Sequence, residues 1–479
     1  MLFQTPHFFV LMSVVLAAMV LLRTRTLQLW FLLVASWYFY ASWNPAFLLL
    51  LLYSTANDYF IGLRIAKAEA PRARRWWVVY SLATNLGILG VFKYFNFFVD
   101  SLNSVLGWAG GTPIETALRF TLPVGISFYT FHSMSYTIDI YRREVEPERS
   151  FVKFALYVAF FPQLVAGPIL RNKDFLPQLD HPVVLRLSAL RSGLNLFLVG
   201  LVKKIVVADN VAPVADFVFD HPQGRSSLMI LIGTLAFGIQ IYCDFSGYTD
   251  MARGAARMLG FDIPLNFNYP YFSRTITDFW RRWHISLSTW LRDYLYISLG
   301  GNRGSTAQTY RNLLLTMTLG GLWHGASWNF VIWGFYQGLL LAIERAFGWS
   351  TADYAPGTPF ARTRTLLRWA FNQYLVFLGW LLFRVHSGRD LLYAAKKYVV
   401  FDRDFALASQ GLGALNPFLT FFIITGFAVV HAWSYRVGGL ARHLDTLSRP
   451  KLLAVYAAAT TALIVFWPAQ QAAFIYFQF

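Results

Sequence analysis

The sequence has few charged residues and only one cysteine. Asp, Glu, Lys and Arg make up 14% of the 479 residues, whereas 56% are hydrophobic and 18% are aromatic. This composition indicates a chain that crosses a lipid bilayer many times. The single cysteine, Cys243, excludes an internal disulfide and a CxxC metal or redox site.

Several motifs of other protein classes are also missing. The sequence has no Walker-type phosphate loop, no HExxH and no GxSxG, which disfavours a nucleotide-driven pump, a zincin and a serine hydrolase of those types. No histidine is followed five residues later by an aspartate, as in soluble-type glycerolipid acyltransferases. We predict no metal site.

The net charge of +17 does not indicate a nucleic-acid partner. The 41 Lys and Arg residues outnumber 24 Asp and Glu, but they form short clusters between apolar stretches, with no separate basic domain. Such clusters are typical of membrane topology signals.

Apolar stretches long enough to enter a bilayer predict an all-α polytopic membrane protein with about ten to twelve membrane helices. Arg23 and Arg25 follow the first stretch and no basic region precedes it, so we expect a retained span and not a signal peptide. The stretches lie near residues 7–22, 27–42, 45–63, 76–98, 119–141, 151–169, 190–207, 226–245, 312–343, 367–386, 416–435 and 452–467.

The distribution of basic residues puts both termini outside, although the basic loop 384–403 disagrees with this topology. Stretches 151–169 and 312–343 have cationic residues at both ends, which predicts that each returns to the side from which it started. Both are therefore interpreted as re-entrant hairpins, which membranes tolerate where protein or water surrounds the broken backbone. Gly320, Gly321 and Gly325 are expected to supply the backbone freedom for the second break.

Residues 250–311 are too polar to span a membrane and predict a cytoplasmic insertion within a single domain, 1–479. Inside it, apolar residues from Phe279 to Leu295 recur mostly three and four positions apart. This spacing predicts an amphipathic helix lying in the membrane interface.

His324 is the first candidate catalytic residue. It lies in the apolar stretch 312–343, about 20 Å from Arg311 if the chain between them is helical. A lone buried histidine is more often structural, but this one has flanking glycines and no neighbouring carboxylate in the sequence. A neutral imidazole there is suited to act as a general base on a hydroxyl.

His284 is the second candidate, and Arg281 and Arg282 precede it. The alternative interpretation of this cluster is an aromatic belt with arginines at lipid headgroups. In the functional interpretation, Arg281 and Arg282 bind the phosphates of an anionic donor, because guanidinium groups match phosphate oxygens.

Other polar residues in apolar stretches are interpreted as structural. Asp244, Asp250, Arg253 and Arg257 are expected to form an interior ion-pair network, and Cys243 is expected to pack rather than to carry an acyl group. His132 and Asp139 share a helix face and predict structural hydrogen bonding. Interhelical hydrogen bonds are expected for three amides, namely Asn195, Gln240 and Asn329.

Five ordered blocks of sequence resemble the membrane-bound O-acyltransferases. Within that family, the chain is similar to the bacterial branch that acetylates alginate or D-alanylates teichoic acid, and the tail 474–479 is typical of the alginate-acetylating members. The blocks are LPVGISFYTF (122–131), FPQLVAGP (161–168), DFSGYTD (244–250), DFWRRWHISLS (278–288) and GLWHG (321–325).

The resemblance implies a ring of helices around a thinned membrane region, with His324 as the essential histidine and His284 as the second. It implies that acetyl-CoA, a substrate and not a resident cofactor, docks near Arg281, Arg282 and His284 on the cytoplasmic side of a bacterial inner membrane. The acetyl group then reaches an exported polysaccharide through a periplasmic SGNH or esterase-like acetyltransferase partner. The aromatic tail 474–479 is a candidate docking surface for this partner.

Three alternatives stay open at this point. His324 could carry the acetyl group as a short-lived acetyl-histidine instead of acting as a base. The protein could instead be a transporter or exporter of a lipid or glycan in which His324 and Asp244 gate protons, although the sequence shows no inverted repeat. A purely structural membrane subunit would tolerate replacement of His324.

Overall fold

The computed structural model describes residues 1–116, 118–349, 361–402, 404, 413, 416–468 and 474–477. In these ranges the secondary structure is helical, with no β-strand, which confirms the predicted all-α fold. Five of the described helices are long and apolar enough to cross a membrane, whereas the count of ten to twelve spans stays a prediction. The five are Pro45–Lys67, Pro71–Trp108, Ser227–Met258, Ala361–Arg384 and Phe418–Arg436.

The chain forms two compact units, and the first contains residues 1–194 and 252–264. A π-helical turn, Gly90–Tyr94, joins two of its helices into one long element. The α-helices of this unit are Pro6–Leu21, Arg25–Ala41, Pro45–Lys67, Pro71–Leu89, Phe95–Trp108, Ile126–Arg142, Phe151–Ala159 and Asn172–Phe175.

The predicted hairpin 151–169 is a short helix followed by buried irregular backbone. Phe151–Ala159 ends after nine residues, and residues 160–170 are all buried without forming a regular helix. The His132 ring holds this segment, since its Nε2 accepts a hydrogen bond of 3.0 Å from the Leu170 backbone N–H. The predicted break is confirmed, and so is a structural role for His132.

The second unit contains residues 195–251 and 265–479. Two helices, Leu187–Val202 and Ser227–Met258, contribute residues to both units. The other α-helices of the second unit are Asp209–Phe219, Ile276–Trp280, Ile285–Trp290, Thr306–His324, Trp328–Ala346, Ala361–Arg384, Gly388–Val399, Pro417–Arg436, Leu440–Thr446 and Arg449–Val465.

The predicted hairpin 312–343 consists of the helices Thr306–His324 and Trp328–Ala346, which we name the histidine hairpin. Its tip reaches the end of a candidate membrane span, because Asn329 Nδ2 donates a 2.9 Å hydrogen bond to the Phe383 carbonyl. The tip of the hairpin is therefore level with the Arg384 end of helix Ala361–Arg384. From the tip, the second hairpin helix leads back toward the end at which the first one begins.

The glycines of the hairpin serve close packing, and the prediction that they supply backbone freedom was wrong. Gly325 has an extended backbone with φ of −161°, which any residue adopts. A Cβ at Gly321 would lie 2.2 Å from the Phe330 carbonyl oxygen, and one at Gly325 would lie 2.2 Å from the Phe330 ring. These positions exclude a side chain because the two helices and the Phe330 ring approach the backbone directly.

The prediction of one amphipathic helix from Phe279 to Leu295 was also wrong. Two short helices, Ile276–Trp280 and Ile285–Trp290, replace it, followed by a π-helical turn that ends at Tyr296. The interruption falls at His284, whose φ of +42° is left-handed and cannot continue a right-handed helix. We name residues 276–296 the His284 segment.

The basic loop that conflicted with the predicted topology carries paired charges. Arg384 lies 2.9 Å from Asp216 and 3.0 Å from Asp220, and Lys397 lies 2.5 Å from Asp402. These cations therefore bind carboxylates within the second unit, which gives them a structural role that a count of Lys and Arg alone does not detect.

Candidate active site

His324 is the last residue of the first hairpin helix and lies inside an aromatic enclosure. Only 4% of the residue is exposed. The rings of Trp323, Trp333 and Phe383 surround its imidazole, with centroids 5.1, 5.2 and 5.6 Å away. The chain from Arg311 to His324 is one unbroken helix, which is the condition for the distance of about 20 Å between these residues.

A hydroxyl group that the sequence did not single out contacts this imidazole. Tyr476 Oη lies 3.0 Å from His324 Nδ1, a hydrogen-bond distance. Where Tyr476 donates, Nδ1 is the atom that takes up its proton; where Nδ1 donates, Nε2 keeps its lone pair for another partner. The tautomer with its proton on Nε2 is the one that places a basic nitrogen, Nδ1, at the Tyr476 hydroxyl.

Tyr476 belongs to residues 474–477, which we name the C-terminal segment, and this segment is anchored in the second unit. The Ile475 backbone N–H donates to Asp244 Oδ2 at 2.8 Å. Phe474 stacks on Tyr248 at 4.6 Å, and Tyr476 packs on Phe245 at 4.4 Å. Phe474 and Ile475 are each 1% exposed.

The prediction of an exposed docking tail is therefore wrong for Phe474 and Ile475, which are buried, and Tyr476 is half-buried with its hydroxyl against His324. The segment packs inward because three side chains of helix Ser227–Met258 contact it. A carboxylate accepts a backbone N–H of the segment, and two aromatic rings pack against its aromatic side chains. Residues 478 and 479 of the predicted tail lie outside the described residues.

Buried charges support the carboxylate that anchors this segment. Lys204 Nζ lies 2.8 Å from Asp209 and 2.9 Å from Asp244, and each of the three side chains is at most 4% exposed. We name these residues the buried triad. Two carboxylates sharing one ammonium group are tolerable in a dry interior only because the ion pairs offset desolvation.

Asp244 and Asp250 of helix Ser227–Met258 form ion pairs, as the sequence predicted, but their partners are lysines and not the predicted arginines. Asp250 binds Lys203 at 2.6 Å, so both anions pair with adjacent lysines of the π-helical turn Lys203–Ala208. In the first unit, Arg257 lies 3.5 Å from Asp262. In the same unit, the Arg253 Nε donates to a backbone carbonyl.

His284 lies beside His324, although the sequence placed it with Arg281 and Arg282 near the cytoplasmic interface. The centroids of the two rings are 6.3 Å apart, and His284 is fully buried. Its Nδ1 lies 3.3 Å from Asn266 Oδ1, which also accepts from the Ser286 hydroxyl. Burial lowers the pKa of His284 to about 3, so the ring is neutral near pH 7.

The two candidate donor-binding arginines differ in environment. Arg282 is half-buried and its Nε lies 2.8 Å from Asp278. Arg281 is exposed. Their contact with a donor stays a prediction.

The remaining polar residues have structural surroundings. Asn195 donates to Asp445 and accepts from Tyr456, each at 2.7 Å, and Cys243 is fully buried. The role of Gln240, also buried, stays a prediction. Within the part of the chain that the structure describes, no three His, Cys, Asp or Glu side chains come together as metal ligands.

Comparison with known proteins defines the class to which this fold and site belong. The model of the membrane-bound O-acyltransferase family matches residues 130–386, and the chain belongs to this family. It is an O-acyltransferase and a multi-pass membrane protein, not a transporter or a purely structural subunit.

Individual relatives give the closer context. The probable alginate O-acetylase AlgI of Azotobacter vinelandii is 49% identical over 360 residues, which cover 74% of this chain and 69% of the relative. The peptidoglycan O-acetyltransferase of Helicobacter pylori is 37% identical over 78% of this chain and 73% of its own length. A teichoic acid D-alanyltransferase of Streptococcus thermophilus is 28% identical over 47% of this chain and 57% of its own length.

Proposed function

We propose that this protein moves an acetyl group from cytoplasmic acetyl-CoA across a bacterial inner membrane, for the O-acetylation of an exported polysaccharide. The identity with probable alginate O-acetylases supports acetyl over D-alanyl transfer. A periplasmic SGNH or esterase-like acetyltransferase partner completes the transfer. Because Phe474 and Ile475 are buried and Tyr476 is half-buried against His324, this partner docks elsewhere on the protein.

The hydrogen bond between His324 and Tyr476 carries the proposal. Burial raises the pKa of Tyr476 well above its ordinary value, so the phenol needs a base to become a nucleophile. His324 Nδ1 lies 3.0 Å from its oxygen and is placed to accept the proton. A nucleophile in hydrogen-bond contact with a base is the arrangement that covalent acyl transfer requires.

The chemistry then proceeds in two balanced steps. Tyr476 Oη attacks the thioester carbonyl while His324 takes its proton; the new O–C bond forms, the C–S bond breaks, and the imidazolium returns the proton to the leaving sulfur. In the second step an acceptor hydroxyl attacks the acetyl ester and Tyr476 leaves as a phenol, reprotonated through His324. Because burial raises the pKa of Tyr476, its departure in the second step depends on the proton that the His324 imidazolium returns to Oη.

His284 and the two arginines complete the proposed site. The neutral His284 ring, fixed by Asn266, packs beside His324 and helps to hold it in place. Arg281 and Arg282 contact phosphates of the donor, with the exposed Arg281 as the more accessible of the two. Asp278 already binds Arg282.

The test is capture of the acetyl group on the purified full-length protein in nanodiscs. Labelled acetyl-CoA should place an acetyl group on the peptide that contains Tyr476, as read by mass spectrometry. Tyr476→Phe should abolish both the label and polymer acetylation in cells, and His324→Ala should slow labelling. The matched control is Tyr38→Phe, because Tyr38 is an exposed tyrosine of the first unit.

Two outcomes would count against this chemistry. Label on His324 in the Tyr476→Phe protein would assign the acetyl group to the imidazole. Wild-type acetylation of the polymer by Tyr476→Phe, at equal expression, would remove Tyr476 from the reaction.

A further inference from the structure

His284 has a backbone conformation that the neighbouring chain must hold in place. Its φ of +42° is left-handed, a region that residues with a side chain seldom adopt because Cβ crowds the following carbonyl. Asn266 holds both backbone N–H groups that follow: Ile285 donates to its carbonyl at 2.9 Å, and Ser286 donates to its Oδ1 at 3.1 Å. One residue therefore fixes the turn at which His284 lies.

The chain around Asn266 lies alongside the His284 segment. The Asn268 backbone N–H donates to the Arg282 carbonyl at 2.9 Å, so residues 266–268 are paired with the segment on both sides of His284. The side chains of Asn266 and His284 belong to residues that are each 0% exposed. Their mutual position is thus set by the backbone, and bulk solvent does not compete for their contact.

The contact between these two side chains determines where the His284 ring carries its proton. A backbone N–H can only donate, so the Asn266 atom that Ser286 contacts is the amide oxygen and not the nitrogen. His284 Nδ1 lies 3.3 Å from this oxygen. Since the oxygen cannot donate, the contact is a hydrogen bond only where Nδ1 carries the ring proton. The neutral ring then has its lone pair on Nε2.

The amide nitrogen of Asn266 indicates that this residue serves through its oxygen. No protein group in the described part of the chain accepts a hydrogen bond from its Nδ2. Burying an unsatisfied donor is destabilising, and such groups in folded proteins call for a functional explanation. An apolar side chain would fill the same space without that cost, but it would offer no acceptor to the His284 ring.

We propose that Asn266 is a positioning residue of the acyl-transfer site, which holds His284 in the tautomer with its proton on Nδ1. His284 thereby presents Nε2 to the site as a hydrogen-bond acceptor. It meets a donor there, such as a hydroxyl group, and not the carbonyl oxygen of the thioester. This role rests on the proposed function, because it presumes that His284 and His324, with ring centroids 6.3 Å apart, share the site of acyl transfer.

The first measurement is the position of the His284 ring proton. Solid-state nitrogen NMR of the full-length protein with isotope-labelled histidine, in nanodiscs, reads it directly, and His284→Gln assigns the signals. The proton should lie on Nδ1 in the wild type and in Ser286→Ala, the matched control, which removes a different donor from the same Asn266 oxygen. In Asn266→Leu, which offers no acceptor, the tautomer with its proton on Nε2 should appear.

The second measurement is the rate of acetyl transfer from labelled acetyl-CoA by the same proteins. Asn266→Leu should lower kcat at least about tenfold, the equivalent of one hydrogen bond, and leave KM for acetyl-CoA unchanged. Ser286→Ala should stay within about threefold of the wild type. A fall in kcat without a change of tautomer in Asn266→Leu would assign Asn266 to the turn alone and would overturn the proposal.

A carboxylate at the same position separates this role from packing. Asn266→Asp keeps an oxygen that accepts from Nδ1, and its negative charge raises the pKa of His284 by stabilising the imidazolium. Because only the neutral ring has an acceptor nitrogen, the acid limb of the pH–rate profile should move to higher pH. The variant leaves unchanged the titratable rings that pack on His284, those of His324 and Tyr476. Other rings around it do not titrate, namely Phe245, Phe267 and Trp323.

Three further outcomes would overturn the proposal: a His284 proton on Nε2 in the wild type, a folded Asn266→Leu protein that keeps the Nδ1 tautomer, or an unshifted acid limb in Asn266→Asp. If Asn266→Leu does not fold, the wild-type tautomer and the Asn266→Asp profile decide. The NMR measurement requires no substrate. Failure of the wild type to transfer acetyl from acetyl-CoA would therefore count against the proposed function and not against the tautomer.

Discussion

Two buried histidines of this protein lie beside breaks in helices, and they differ in the groups that they meet. His132, in the first unit, accepts a hydrogen bond from the Leu170 backbone N–H. His324, in the second unit, meets the hydroxyl of Tyr476. The first is 0% exposed and the second 4%, so burial does not distinguish them.

In the proposed mechanism, the partner of each ring distinguishes a structural histidine from a catalytic one. A backbone N–H does not give up its proton near neutral pH, so the hydrogen bond that His132 Nε2 accepts stabilises irregular chain. A phenol can transfer its proton and then act as a nucleophile. The difference therefore lies in the atom at the other end of the hydrogen bond.

The largest effect should come from His324→Ala. Loss of a general base reduces the rate by roughly 10² to 10⁴-fold, so acetylation of the exported polymer should be abolished while the protein still folds and inserts. The measurement is polymer acetyl content at equal membrane expression. Acetyl content near wild type in this strain would show that His324, like His132, has a structural role.

A second change removes the cation of the buried triad. Lys204→Met leaves Asp209 and Asp244 buried without their ammonium partner, which typically costs about 3–5 kcal/mol. It should lower thermal stability and release the C-terminal segment, so polymer acetylation falls as well.

The adjacent lysine provides the control for that change. Lys203→Met removes one ion pair whose lysine is 26% exposed, and it should have the smaller effect on melting temperature. Adding Asp244→Asn to Lys204→Met should restore part of the stability. Equal effects of the two lysine variants would show that the buried triad is not what holds Tyr476 in place.

His132→Ala should give the opposite pattern to His324→Ala. It leaves the Leu170 N–H without its acceptor, at a cost of about 1–3 kcal/mol. The melting temperature and yield should fall, whereas acetylation per folded molecule should stay near wild type. A folded His132→Ala protein without activity would show that His132 takes part in the reaction.

The smallest effect concerns pH and His284, which shares the site of His324 but is neutral. Its pKa is lowered to about 3 in the folded protein, below the unfolded value of about 6.5. Its contribution to stability is present above the unfolded pKa and is lost as the pH falls below it. Between about pH 7 and about pH 5.5 this amounts to about 1 kcal/mol, measurable as a difference in melting temperature that His284→Gln should remove.

The apolar stretches of the sequence defined most of the fold. The hairpin expected at 312–343 is present as Thr306–His324 and Trp328–Ala346, because apolar length and flanking cations are local properties. The helix expected from Phe279 to Leu295 failed at His284, whose left-handed backbone depends on tertiary packing that spacing does not encode.

The site was less accessible to sequence reasoning. His324 was a candidate from its surroundings and His284 from the family resemblance, but Tyr476 lies 152 positions from His324, and an aromatic tail was as compatible with docking as with burial. Lys204 belongs to the basic clusters that were interpreted as topology signals, although its side chain is 2% exposed. The cue that could have found it is the pair of aspartates, Asp209 and Asp244, in otherwise apolar surroundings.

The unbroken helix Trp328–Ala346 also sets a distance. Sixteen residues separate Trp328 at the hairpin tip from Glu344, which is about 24 Å of helix that does not stretch. Because Glu344 accepts the backbone N–H groups of Ile276 and Thr277, the helix holds the start of the His284 segment at that distance from the hairpin tip.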